Sequence, residues 1–262
     1  MRKTTLLLIA CLLLMGALPS HAASAKKGVN AADDPGPAGA AMTALDARWY
    51  WTWAVDRRGI QSNAEFVPMI WGAGNVNDAD LNTAKANGRQ LLGFNEPDMA
   101  GQANMTVERA LDLWPRLQNT GLRLGAPGVA FGGDVAGGWL DRFMAGAKAR
   151  NLRVDFIPIH WYGQDFSAAA TGHLESYLRN VYNRYKKPIW LTEYALIDWR
   201  SGRAVYPSQQ QQTAFITAST RMLDGLSFVE RYSWFTLSTK TSPTGLSTGT
   251  ALTAAGNAYR AA

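Results

Sequence analysis

Cysteine is almost absent from this chain. The single one, Cys11, lies within an N-terminal apolar stretch, so the rest carries no disulfide, thiolate metal site or thiol nucleophile. Histidine is scarce as well. Of three, His21 borders the same stretch and His173 falls in a polar turn, which leaves His160. Two histidines without metal-ligand spacing do not make a zinc site, and no metal is expected. No glycine-rich phosphate loop follows any apolar run, so no nucleotide and no other cofactor is expected. The formal charge is +6, of which Arg2 and Lys3 supply two, and the basic residues are scattered apart from Lys26-Lys27 and Lys186-Lys187. Without a clustered basic stripe, nucleic acid is not an expected partner.

What is present starts with a basic segment, Met1-Arg2-Lys3, then a mostly apolar run over 6–18 and small residues at Ser20 and Ala22. That is the layout of a secretory signal peptide over 1–22, with Ala25 as an alternative end, and the run is too short for a membrane span. Leu8-Ile9-Ala10-Cys11 superficially resembles a lipoprotein cleavage box, but the run before it is very short and the apolar stretch continues past it. The expected product is a secreted protein, extracellular or periplasmic, with no membrane association after the leader is removed. Roughly 235 residues then remain over 26–262, a size suited to one α/β barrel.

Apolar, β-branched and aromatic runs predict strands at 48–54, 66–71, 90–95, 122–125, 154–161, 188–193 and 231–235. Helical patterns fall between them at 77–87, 107–120, 139–150, 174–185 and 209–226, with a terminal helix after Leu252. Thr106 before Glu108 and Ser208 before the glutamine run are good helix starts. This alternation implies a parallel sheet with right-handed crossovers. A closed (β/α)8 TIM barrel needs an eighth strand, and 26–30 can supply it; the Pro- and Gly-rich segment Asp33 to Gly39 reads as a loop.

Two glutamates stand out. Glu96 ends Leu91-Leu92-Gly93-Phe94-Asn95-Glu96, and Glu193 ends Ile189-Trp190-Leu191-Thr192-Glu193; each is the first ionisable group after an apolar run. The separation leaves room for three β-α units, and the C-terminal mouth of barrel strands is where such folds carry chemistry. A pair of facing carboxylates is what glycoside hydrolysis requires. Either could instead cap a loop or pair with a base, but the matching positions favour catalysis. Asn95 can donate its amide to a sugar hydroxyl or to the glutamate. His160 ends a predicted strand at the mouth, suited to hydrogen-bond substrate or a carboxylate, with a structural role as the alternative.

Aromatic residues are abundant: 10 Trp, 9 Tyr and 9 Phe, several at strand ends, including Trp53, Trp71, Tyr162 and Trp234. Aromatic planes pack on the C–H faces of pyranose rings. Trp71 and Trp234 are the best stacking candidates, while Trp114 and Trp139 on helices read as structural.

The segments Glu65-Phe66-Val67-Pro68-Met69-Ile70-Trp71-Gly72, Leu91 to Asp98, Val154-Asp155-Phe156 with His160-Trp161-Tyr162-Gly163, and Trp190-Leu191-Thr192-Glu193-Tyr194 occur in order. Together they resemble glycoside hydrolase family 128, the secreted β-1,3-glucanases of hydrolase clan A. The likeness runs from about Lys26 to the end of the sequence. It implies an eight-stranded barrel with the acid/base, Glu96, on the fourth strand and the nucleophile, Glu193, on the seventh. With the two glutamates in these roles, the expected activity is retaining cleavage of a polysaccharide, β-1,3-glucan of laminarin or curdlan type, by a monomer; endo action is expected, with exo action left open. Asn95 would hold the 2-hydroxyl of the reacting sugar, and Trp53, Trp71, His160, Tyr162 and Trp234 would contact substrate. A clan A hydrolase of another β-glycan, a transglycosylase, and a non-catalytic glucan-binding barrel remain open.

Overall fold

A computed structural model describes residues 24–262 apart from Asp33; the leader expected over 1–22 lies outside the described residues. Eight short parallel strands form the frame: β1 (Lys27–Asn30), β2 (Trp49–Trp51), β3 (Glu65–Phe66), β4 (Gln90–Leu91), β5 (Arg123–Leu124), β6 (Ile157–Gly163), β7 (Ile189–Leu196) and β8 (Val229–Trp234). Six pair in the order β3-β2-β1-β8-β7-β6, and β4 pairs β5. Single parallel bridges, Met69 with Leu92 and Gly125 with Phe156, join these two groups and close the ring. The closure rests on single bridges partly because Pro68, Pro127 and Pro158 lie in these segments and lack a backbone donor. The short first strand is real: Val29 is in register with Tyr50 on one side and Trp234 on the other.

The barrel interior is filled by a cluster of buried side chains: Trp49, Trp51, Val67, Met69, Leu92, Phe156 and Trp190. Gly28 is required here, because a Cβ would lie 2.4 Å from the Trp49 indole. At the N-terminal mouth, Arg231 sits 4.4 Å from the Trp190 ring centre and pairs with Glu65 at 2.6 Å. Arg123 pairs with Glu230 at 2.8 Å beside it, so that end is plugged. A barrel blocked below leaves the C-terminal mouth for ligands.

Helices α1 (Pro35–Ala44), α2 (Asp78–Asn87), α3 (Val107–Gln118), α4 (Trp139–Ala149), α5 (Ala170–Tyr185), α6 (Gln209–Gly225) and α7 (Ala254–Arg260) surround the strands, with a hairpin, β9 (Ser247–Thr248) and β10 (Ala251–Leu252), before α7. The predicted starts hold. Thr106 accepts from the Arg109 N–H at 3.1 Å, and Ser208 and Gln211 form a reciprocal capping box. One expectation is corrected: the segment read as a loop after β1 begins α1. Pro35 stands in the first turn, where its missing N–H costs nothing, and the small residues Ala38, Gly39 and Ala41 are buried. Gly39 lets this helix touch backbone, since a Cβ there would fall 1.8 Å from the Gln61 carbonyl oxygen. Among the described residues no helix is long and apolar enough to cross a membrane.

Candidate active site

Glu96 and Glu193 are delivered to the C-terminal mouth by the segments following β4 and by β7. The chain at Glu96 leaves strand geometry, with φ 43° in the left-handed region. Such a conformation costs a non-glycine residue about 1–3 kcal/mol and persists only when neighbours hold it. Here the Asn95 N–H donates to the Trp71 carbonyl at 2.9 Å and the Glu96 N–H to the Gly128 carbonyl at 2.7 Å. Pro97 fixes the next turn. Trp53, beyond β2, is also left-handed at φ 55°.

These constraints converge on one cluster. His160 Nδ1 lies 2.8 Å from Glu96 Oε1 and 3.6 Å from Glu193 Oε2. Trp53 Nε1 donates to Glu193 Oε1 at 2.8 Å, and the Tyr162 hydroxyl donates to Glu193 Oε2. One carboxylate oxygen each from Glu96 and Glu193 and one nitrogen of His160 all lie within 4.8 Å of one another. The two glutamates are 8% and 5% exposed and the histidine 1%. Two carboxylates and an imidazole could present ligand atoms to a metal, but the atoms concerned are engaged with one another and with the Tyr162 and Trp53 donors. As folded, the cluster is built to share protons.

Burial pushes the Glu193 carboxyl above the ordinary carboxylate range, and the charge of Glu96 adds to this; His160, Tyr162 and Trp53 pull it back. Burial presses His160 towards its neutral form, but Glu193 and Glu96 outweigh it, and its pKa lies above the ordinary imidazole value. The Tyr162 phenol is raised well above its usual value by burial and by Glu193, so it remains a donor. Asn95 Nδ2 donates to Gln102 Oε1 at 3.2 Å, while its Oδ1 is buried and has no partner among the described residues. An orphaned acceptor at this depth is costly unless a ligand hydroxyl reaches it.

The cluster forms the floor of an open cleft of about 1020 Å³ walled by Trp53, Trp71, Phe131, Trp199 and Phe235. Apolar rings over a few fixed polar groups are what a sugar chain needs.

Residues 33–259 match the glycosyl hydrolase catalytic core family. An endo-β-1,3-glucanase of family 128, subgroup I, from Amycolatopsis mediterranei, crystallised with laminarihexaose, is 63% identical to this chain. The match covers 91% of this chain and 100% of that one, with a TM-score of 0.90. The chain belongs to glycoside hydrolase family 128. A subgroup II endo-β-1,3-glucanase of the family from Sorangium cellulosum is 27% identical, covering 90% of this chain and 97% of that one at a TM-score of 0.75. The alkali-sensitive linkage protein 1 of Schizosaccharomyces pombe is 32% identical over 199 residues, 73% of this chain and 35% of that protein. The chain therefore spans about a third of the length of that curated relative.

Of the positions singled out in the sequence, Glu96, Glu193, Asn95, His160, Tyr162, Trp53 and Trp71 all line this family 128 cleft. Trp234 does not. It is fully buried outside the barrel, its Nε1 donating to the Thr244 carbonyl at 2.9 Å and its ring edge-on to Tyr194 at 4.9 Å. The reason is strand alternation. Ser233 points into the barrel, where Trp51 Nε1 reaches its hydroxyl at 3.3 Å, so Trp234 faces the helices. The groove position belongs to the next residue, Phe235, whose ring stands edge-on to Tyr162 at 5.3 Å. Phe235, Gln102, Phe131 and Trp199 were not anticipated. Phe235 follows from the alternation of β8; the other three lie on loops whose course has no sequence signal.

Proposed function

We propose that the protein is a secreted, retaining, endo-acting β-1,3-glucanase that works as a monomer. Glu193 attacks the anomeric carbon while Glu96 protonates the departing glycosidic oxygen. Water then cleaves the glycosyl-enzyme with Glu96 acting as base. The observation that carries this reading is the closeness of the two carboxyl groups: one oxygen of Glu96 lies within 4.8 Å of one oxygen of Glu193. Retaining pairs stand ~5–5.5 Å apart, whereas inverting pairs need ~6.5–9.5 Å to admit a water between carboxylate and sugar. Tyr162 and Trp53 hold Glu193 in orientation, and His160 holds Glu96. Asn95 receives the 2-hydroxyl of the reacting sugar, an interaction that strengthens in the transition state.

The substrate class is supported by the 63% identical Amycolatopsis enzyme with its laminarihexaose. The two glutamates replaced in those structures have the same separation in sequence as Glu96 and Glu193. An open cleft accommodates internal bonds of a chain, and it is complete within one described chain, which supports a monomer. Secretion is supported by the leader pattern at the N-terminus.

The test is a substrate panel: laminarin, curdlan, carboxymethylcellulose and mannan, with wild type and Glu193→Gln, products resolved by chromatography. The expected result is oligosaccharides from laminarin and curdlan alone, absent with the variant. Products from another β-glycan instead would reassign the substrate within clan A. Binding of laminarin without any cleavage by wild type would make the barrel a glucan-binding module.

A further inference from the structure

Side chains three apart on a strand face opposite sides, yet Trp190 and Glu193 both point inward, one into the barrel core and the other into the mouth. The pairing of β7 with its neighbours shows why. Against β6, Leu191 is opposite Ile159 and Glu193 opposite His160; against β8, Leu191 is opposite Tyr232 and Tyr194 opposite Trp234. On both sides β7 carries one residue more than its partner, and that residue is Thr192. Such a bulge re-aims the side chains that follow it. Without it Glu193 would face the helices and Tyr194 the mouth, because a slip of one residue turns every later side chain over.

A bulge leaves its extra residue unpaired in the ladder, so other groups must hold it. Thr192 is buried, and its hydroxyl donates to the Ile159 carbonyl at 3.3 Å. Its carbonyl accepts from two side chains inside the barrel, Asn30 Nδ2 of β1 at 3.4 Å and Trp51 Nε1 of β2 at 3.3 Å. The Trp51 ring also lies 4.6 Å from that of Trp53, whose Nε1 donates to Glu193 Oε1. Asn30 is fully buried, and its Oδ1 has no partner among the described residues. A residue that only filled this space would be apolar, since an unpaired buried acceptor destabilises the fold. What Asn30 contributes is its donor, and the donor is aimed at the bulge.

We propose that Asn30 is a positioning residue for the nucleophile: with Trp51 it holds the Thr192 carbonyl and so fixes the bulge that turns Glu193 into the mouth. Neither side chain lines the cleft, so both act through Glu193 rather than on the sugar. The proposal rests on the glucanase reading, which makes Glu193 the nucleophile.

The test is Asn30→Ala, with Trp51→Phe as a second variant that removes the other donor from a different strand. Cleavage of laminarihexaose and Tm are measured for each, and the Kd for the hexaose in a Glu193→Gln background. Each variant should lower kcat about 10- to 100-fold, the scale of a ~1 Å displacement at a reacting group. KM and Kd should match those of the parent proteins, because the groove is untouched, and a crystal structure of Asn30→Ala should show the Glu193 carboxyl displaced. A lower Tm with kcat unaltered would make Asn30 a packing residue and overturn the proposal. A weaker Kd with kcat unaltered would overturn it too, by placing Asn30 in sugar binding. If wild type cleaves no laminarihexaose, the glucanase reading fails and the crystal structure decides alone: Glu193 displaced upholds the positioning role, and Glu193 unmoved overturns it.

Discussion

Replacing Tyr162 by Phe removes one hydroxyl and keeps the ring that packs edge-on against Phe235. The hydroxyl donates to Glu193 Oε2, and this bond helps keep in its ionised form a carboxyl that burial pushes up. A hydrogen bond to a charged group contributes ~1.5–3 kcal/mol. If Glu193 must be ionised to attack, losing the donor leaves it protonated to higher pH. Below the acid limb, kcat/KM should then fall by roughly 10- to 150-fold, at about 1.4 kcal/mol per tenfold. At alkaline pH, where Glu193 is ionised with or without the donor, the loss should shrink to a few-fold. The assay is reducing-sugar release from laminarin across the pH range for both proteins. Parallel profiles, with one constant ratio at all pH values, would refute the reasoning and leave Tyr162 as a packing residue.

Glu193→Gln should abolish hydrolysis and raise thermal stability at neutral pH. A carboxyl whose folded pKa is raised favours folding when protonated and penalises it once pH rises through the folded value. The amide removes that penalty, so the gain should be present at pH 7 and vanish in acid; ~1 kcal/mol reads as ~2–4 °C in Tm. Trp71→Ala should raise KM for laminarin about tenfold through lost stacking. Trp234→Phe should leave KM unchanged and lower stability by ~1–3 kcal/mol, because it loses a buried donor and volume; the reverse pattern would restore Trp234 to the groove. Gly39→Ala should cost ~1–3 kcal/mol or more, seen as a lower Tm with kcat unaltered, because its new methyl meets the Gln61 carbonyl.

Much of the frame was legible because strands buried on both faces are continuous apolar runs, and a charge interrupting such a run at its C-terminal end is conspicuous. Glu96, Glu193 and His160 were found that way, and the structure brings them together. Helix α1 was missed because it buries alanines and a glycine against backbone; a helix that docks by being thin shows no apolar periodicity. Trp234 was misplaced because its composition says only that an aromatic ends a strand. Which face it takes depends on the phase of alternation, set here by Ser233 meeting Trp51 inside the barrel. The cleft wall at Phe131 stands on a loop fixed by long-range bonds, from the Ala130 N–H to Asp98 and from the Gly133 N–H to the Tyr177 hydroxyl, and Trp199 on a loop closed by backbone bonds between Asp198 and Val205; no apolar periodicity announces either.

The stereochemistry of the first product tests the central claim most directly. Laminarihexaose is cleaved in an NMR tube with enough enzyme to outrun mutarotation, and the anomeric proton of the new reducing end is followed from the first minute. Carboxyl groups of Glu96 and Glu193 with an oxygen of each within 4.8 Å of the other predict the β-anomer first, with the α-anomer growing in later. An α-anomer formed first would mean inversion, and Glu193 would then be a base rather than the nucleophile.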